Sequence, residues 1–116
     1  MASSGSWTVD SGDVTTYAYI LFGKTMTVAF EIVNTDVSAT PTDLRIAIPA
    51  SLTAAKVIRN VVQVSDAGGA HQAGIALVGA VSGVIQIYKD ITGTATYTTT
   101  SGDNTNVRGQ ITFEVT

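Results

Sequence analysis

Cysteine is absent from this 116-residue chain, so neither a disulfide framework nor thiolate chemistry is open to it. Charge is scarce as well. Asp, Glu, Lys and Arg make up 13% of the residues, about half the roughly 25% of an average globular chain. The six cations, Lys24, Arg45, Lys56, Arg59, Lys89 and Arg108, stand singly along the sequence, which excludes the basic stripe that nucleic-acid binding requires. No stretch approaches the ~20 apolar residues of a membrane-crossing helix. The opening MASSGS has neither the basic nor the apolar region of a signal peptide. Patterns for dinucleotides, Walker-type nucleotide loops, HExxH zinc sites and CxxC pairs are all missing. No nucleic acid, membrane insertion, cofactor or metal is therefore expected.

Catalytic groups are equally thin. One histidine, His71, sits in a Gly-rich segment, and a lone imidazole there reads as a solvated loop residue rather than the base of a nucleophile. Among the nine acids only Glu31 and Glu114 fall within clear strand patterns, each on the polar phase, where a structural role is expected in place of a glycosidase pair. Asp10, Asp13, Asp103, Asn104 and Asn106 offer oxygen ligands in loops, but their spacing does not follow an EF-hand loop, and Asx residues suit turns. No enzyme is expected.

What the chain does have is β-forming material. Hydrophobic residues make up 45% of it, enough for one core in one domain. In Gly23 to Asn34 the large residues Met26, Val28, Phe30 and Ile32 alternate with Thr25, Thr27, Ala29 and Glu31, the mark of a half-buried strand. Gly23-Lys24 before it suits a type II′ hairpin turn to a second run, Val14 to Phe22. That run is apolar on both sides: Val14, Ala18, Ile20 and Phe22 on one, Tyr17, Tyr19 and Leu21 with Thr15 on the other. A strand of this kind needs two coverings, and Tyr17, Tyr19 and Leu21 are expected at a subunit interface.

Further strands are predicted at Leu44 to Ile48, ended by Pro49, at Val57 to Ser65, His71 to Val78 and Val84 to Tyr88, and at Gly109 to Thr116. Thr35 to Thr42 reads as a turn, Ser51 to Lys56 as a short helical connector, and the Thr-rich Ile91 to Arg108 as largely irregular. Within it Ser101 to Asn106 is expected as an exposed loop, and Tyr97, Asp103, Asn104 and Asn106 as a recognition surface. Short strands with regular turn signals predict an all-β, antiparallel fold of about seven to eight strands, a β-sandwich, jelly roll or small barrel. It occupies residues 7–116, after a flexible lead-in or cloning scar at residues 1–6.

Trp7-Thr-Val-Asp with Gly12-Asp13-Val, the run Tyr19 to Ile32, Leu44-Arg-Ile-Ala-Ile-Pro49 and the closing Gly109 to Val115 resemble the small β-sandwich domains at the ends of tailed-phage fibres and related virion-associated proteins. The likeness is one of order and texture from Trp7 to Val115. It implies a jelly-roll-like structural domain on a virion appendage, commonly a homotrimer, that contacts a host-surface glycan or protein through loops. Two other readings of the residues stand beside it. One is a monomeric carbohydrate-binding module that uses exposed aromatic rings. The other is a capsid decoration protein.

Overall fold

A computed structural model describes residues 5–116. Among these residues eight antiparallel strands form one sheet: β1 (Trp7–Thr8), β2 (Val14–Phe22), β3 (Thr25–Val37), β4 (Asp43–Ala47), β5 (Ile58–Ser65), β6 (Gln72–Val78), β7 (Val84–Tyr88) and β8 (Thr100–Glu114). Their order is β1-β3-β8-β5-β6-β7-β4, with β2 also paired to β3. The all-β, antiparallel expectation holds, and the sheet is nearly closed on itself, compatible with a sandwich or a barrel-like fold.

Chain length forces the closure. β3 and β4 lie five positions apart in the sheet order, about 24 Å if the sheet were flat. Residues 38–42 alone join them, and such a link reaches about 21 Å at full stretch. The sheet must therefore curl. Its inner face is the core, built from Met26, Val28, Phe30 and Ile32 of β3, Ile111 and Phe113 of β8, Leu44 and Ile46 of β4, and Ile85 and Ile87 of β7.

The hairpin between β2 and β3 forms at Gly23-Lys24 as expected. Gly23 takes a φ of 62° and Lys24 keeps an ordinary one, the requirement of a type II′ turn. Beyond Asn34 the structure departs from the sequence reading, because β3 continues through the segment taken for a turn. Asn34 sits at φ 59° in a bulge whose N–H donates to Asn106 Oδ1 at 2.7 Å. The bulge moves the buried phase from Met26, Val28, Phe30 and Ile32 to Thr35 and Val37. That phase change hid the strand.

β8 likewise runs through Ser101 to Asn106, the expected loop. Thr is a good strand former wherever a partner edge exists, and here β3 supplies one as far as Val37. Thr105 and Val107 point inward and are buried. Ser51 to Lys56 is no helix: a 3-10 turn occupies Pro49–Ser51, and Ala54 bridges to Val115 instead.

Two devices seal one end of the core. The Trp7 indole donates to Thr35 Oγ1 at 2.8 Å, and that hydroxyl donates to the Thr105 carbonyl at 2.7 Å, so the buried polar atoms are satisfied. The return from β7 to β8 carries Tyr97 into the core, with its hydroxyl on the Ile87 carbonyl at 3.0 Å and its N–H on the Pro41 carbonyl at 2.8 Å. Asp66 fastens that return: Lys89 Nζ and Thr98 Oγ1 reach one carboxylate oxygen at 2.8 Å, and the Thr98 N–H reaches the other at 2.9 Å. Burial alone would raise the Asp66 pKa, but these hydrogen bonds outweigh it and hold the carboxyl below its ordinary range.

The expected lead-in at residues 1–6 falls in part, Met1 to Ser4, outside the described residues. Ser6 belongs to the fold: its N–H donates to Ser38 Oγ at 2.7 Å, and its carbonyl accepts from the Ser38 N–H at 2.9 Å.

Where β5 crosses β8, Gly109 lies under Val62, and a Cβ there would stand 2.5 Å from Val62 Cγ1. Gly109→Ala is therefore expected to destabilise the fold by about 1–3 kcal/mol through overpacking. Gly83→Ala, which meets nothing within 4 Å, should leave the urea midpoint almost unchanged. Equal midpoints for the two variants would contradict this packing.

Candidate functional site

The most unusual surface is β2. It pairs along one side only, with β3, so its other edge of N–H and C=O groups is open among the described residues. Directly opposed residues share a face. Tyr17, Tyr19 and Leu21 oppose Phe30, Val28 and Met26 and so lie on the core side, while Ala18, Ile20 and Phe22 oppose Ala29, Thr27 and Thr25 on the outer side.

Neither side is covered. Tyr17, Tyr19 and Leu21 are each nearly half exposed, and Ile20 and Phe22 are 71% and 86% exposed. Tyr17 crosses the seam between β2 and β4, where its hydroxyl donates to the Ala47 carbonyl and burial pushes its pKa up. On the outer side Ala18, Ile20, Thr27, Ala29 and Gln110 line a shallow depression of about 190 Å³. The sequence marked Tyr17, Tyr19 and Leu21 for contact. It did not single out Ile20 and Phe22, although the two-sided apolar alternation was the signal for them.

The expected recognition residues are not brought together. Tyr97 is wholly buried, so it is a core plug and not a contact residue. Asn106 holds the β3 bulge, and Asn104 Oδ1 accepts from the Thr100 hydroxyl at 2.6 Å. Asp103 is the exposed one, in a corner with Asp36, whose Oδ1 accepts the Asp103 N–H at 2.8 Å. A hydrogen bond with the Asp36 carboxyl and its charge, then the charges of Asp13 and Asp10, raise the Asp103 pKa. Among the described residues no group of three or more His, Asp or Glu is arranged to hold a metal.

No protein family, curated protein or solved structure matches this chain. Its chemistry must therefore be read from its own surfaces.

Glu31 accepts from Arg108 Nε at 2.6 Å across β3 and β8. Glu114 opposes Thr25, six residues along β3 from Glu31, so the two carboxylates stand about 20 Å apart, far beyond glycosidase spacing. His71 is exposed just before β6. A second concavity, about 170 Å³, opens on the outer face of β5, β6 and β7, lined by Arg59, Ile75, Leu77, Tyr88, Ile91, Thr92 and Gly93.

The acidic corner sets a pH dependence. A raised carboxyl pKa in the folded state means that the repulsion is absent below the ordinary value of 3.8 and grows as pH rises through the folded value. Asp103→Asn is thus expected to raise the melting temperature at pH 7 and to change nothing at pH about 3. A lower melting temperature at pH 7 would refute the repulsion.

Proposed function

We propose that this chain is a non-enzymatic structural and recognition domain of a virion appendage, in line with its resemblance to phage-fibre end domains. It acts as a homotrimer packed through β2, and it meets a host-surface glycan or protein with the surface left outside that packing. The observation that carries this reading is β2 itself. It is a nine-residue edge strand with no charge and with apolar side chains exposed on both faces.

A free strand of that kind is an aggregation hazard, and proteins that leave an edge open blunt it with charge or proline. The strand at the opposite edge, β4, carries the Asp43–Arg45 ion pair at 3.0 Å. β2 has no such guard, which favours a permanent partner. Two distinct apolar faces favour a ring, since a head-to-tail contact buries one surface of each copy against a different surface of the next.

One feature favours a rival, two-fold arrangement. β2 paired antiparallel with its copy about Ala18 would set Tyr17 against Tyr19 and place Lys24 opposite Gly12, beside Asp13. The solution mass separates the two.

Light scattering after size exclusion is expected to give a trimer independent of concentration. Tyr19→Glu and Phe22→Glu should each dissociate it, and Phe22, so exposed in the single chain, leaves folding intact when changed. A dimer would transfer the reading to the two-fold pairing. A monomer whose solubility is indifferent to Phe22→Glu would overturn self-association.

A further inference from the structure

We infer that the cleft on the outer face of β5, β6 and β7 binds an acidic sugar residue, with the Arg59 guanidinium taking the carboxylate and the ring seated on Ile75, Leu77 and Tyr88. The inference deepens the recognition half of the function proposed above and rests on it, but it does not depend on the trimer.

The cleft owes its form to register and to one turn. Arg59 and Leu77 are cross-strand partners, as are Ile75 and Tyr88, which brings a cation, two aliphatic side chains and an aromatic ring onto one patch of the outer face. The wall is the turn after β7. The Asp90 carboxylate binds it together, accepting the Gly93 N–H at 3.0 Å, the Ala95 N–H at 3.3 Å and the Thr92 hydroxyl. Gly93, at φ 73°, lies over the Tyr88 ring, with a position for Cβ only 3.6–3.8 Å from ring carbons. The turn therefore covers part of the ring and leaves the rest to the cleft.

Charge selects the ligand. Arg45, Lys89 and Arg108 are each bound to a carboxylate of the protein, whereas the Arg59 guanidinium has no hydrogen bond or ion pair among the described residues. The fold does not use its charge. Burial and the Asp43 charge raise the Tyr88 pKa, and the charges of Arg45 and Arg59 work against them, which sets Arg59 within electrostatic reach of the phenol. A planar fork of donors next to a flat apolar floor suits a carboxylate carried on a saturated ring, since guanidinium binds carboxylate through two parallel hydrogen bonds and aromatic and aliphatic surface takes the C–H face of a sugar. The Thr92 hydroxyl, whose proton goes to Asp90 and which meets Thr94 Oγ1 at 2.9 Å, keeps acceptor capacity for a ring hydroxyl. A volume of about 170 Å³ is well below the roughly 300–1,000 Å³ of drug-sized pockets, so it admits one ring, and its open mouth lets a glycan chain continue past it.

The test is a titration of the isotope-labelled protein with glucuronic acid, N-acetylneuraminic acid and, as neutral counterparts, glucose and N-acetylglucosamine, followed by amide NMR shifts. Saturable shifts at Leu77, Tyr88, Thr92 and Gly93 are expected with the acids, and binding roughly tenfold or more weaker with the neutral sugars and with Arg59→Gln. Arg59 is exposed, so that variant should keep its melting temperature and solution mass. Thr92→Ala should weaken binding of the acids while preserving their preference over neutral sugars. Equal binding of acid and neutral sugars, or an Arg59→Gln variant that binds the acids as well as the parent, overturns the assignment of the carboxylate to Arg59. No shift with any sugar from a protein that is still trimeric overturns the site and leaves the structural reading standing, whereas sugar binding by a monomer does the reverse.

Discussion

Everything in this fold hangs from the ladder between β3 and β8. These are the two longest strands, thirteen and fifteen residues, and their pairing runs from Thr25 opposite Glu114 to Val37 opposite Thr100. Each contributes a buried row to the same core, so the ladder is at once the main hydrogen-bonded seam and the main hydrophobic wall. Its partners join on either side: β1 and β2 on β3, and β5 on the middle of β8. The bulge at Asn34, stitched by Asn106, lets the ladder bend without losing the buried phase on either side of it.

Bending the ladder leaves a seam, and the seam governs the surface. Because residues 38–42 cannot span a flat sheet, β4 is drawn toward β2, and Tyr17 reaches Ala47 across the gap. The two edges are guarded differently. β4 has its charge pair, while β2 carries no charge and exposes apolar side chains on both faces. The acidic corner of Asp10, Asp13, Asp36 and Asp103 lies toward the start of β2, and Lys24 lies past its end. The edge is thus uncharged along its length and oppositely charged at its ends.

Residue patterning revealed much of this architecture. The alternation of Met26 to Ile32, the turn at Gly23 and the two-sided apolarity of Val14 to Phe22 were all legible, because each is a local consequence of a pleat or of a glycine φ. Legibility failed where a strand departed from a single alternation or was written in polar residues. Thr35 and Val37 lie one bulge out of phase with Ile32. Thr100 to Asn106 carries little apolar signal, since only Thr105 in it is buried and its partner is the hidden half of β3. Tyr97 looked like a surface ring beside a polar loop. Its burial is decided by the Asp66 clamp, which no neighbouring residue announces.

By itself the sequence determined the fold class, the inward rows of the main strands and the absence of familiar catalytic and metal motifs, because strand periodicity and residue chemistry act over a few neighbours. Only the tertiary structure decided that Tyr97 is core, that Asp103 meets Asp36, that β2 has one strand neighbour among the described residues while β4 closes the opposite edge, and that Arg59, Tyr88 and Thr92 share a cleft. Those facts depend on the order and register of strands far apart in the chain. Register is set by how the whole sheet curls over its core, and no local pattern carries that information.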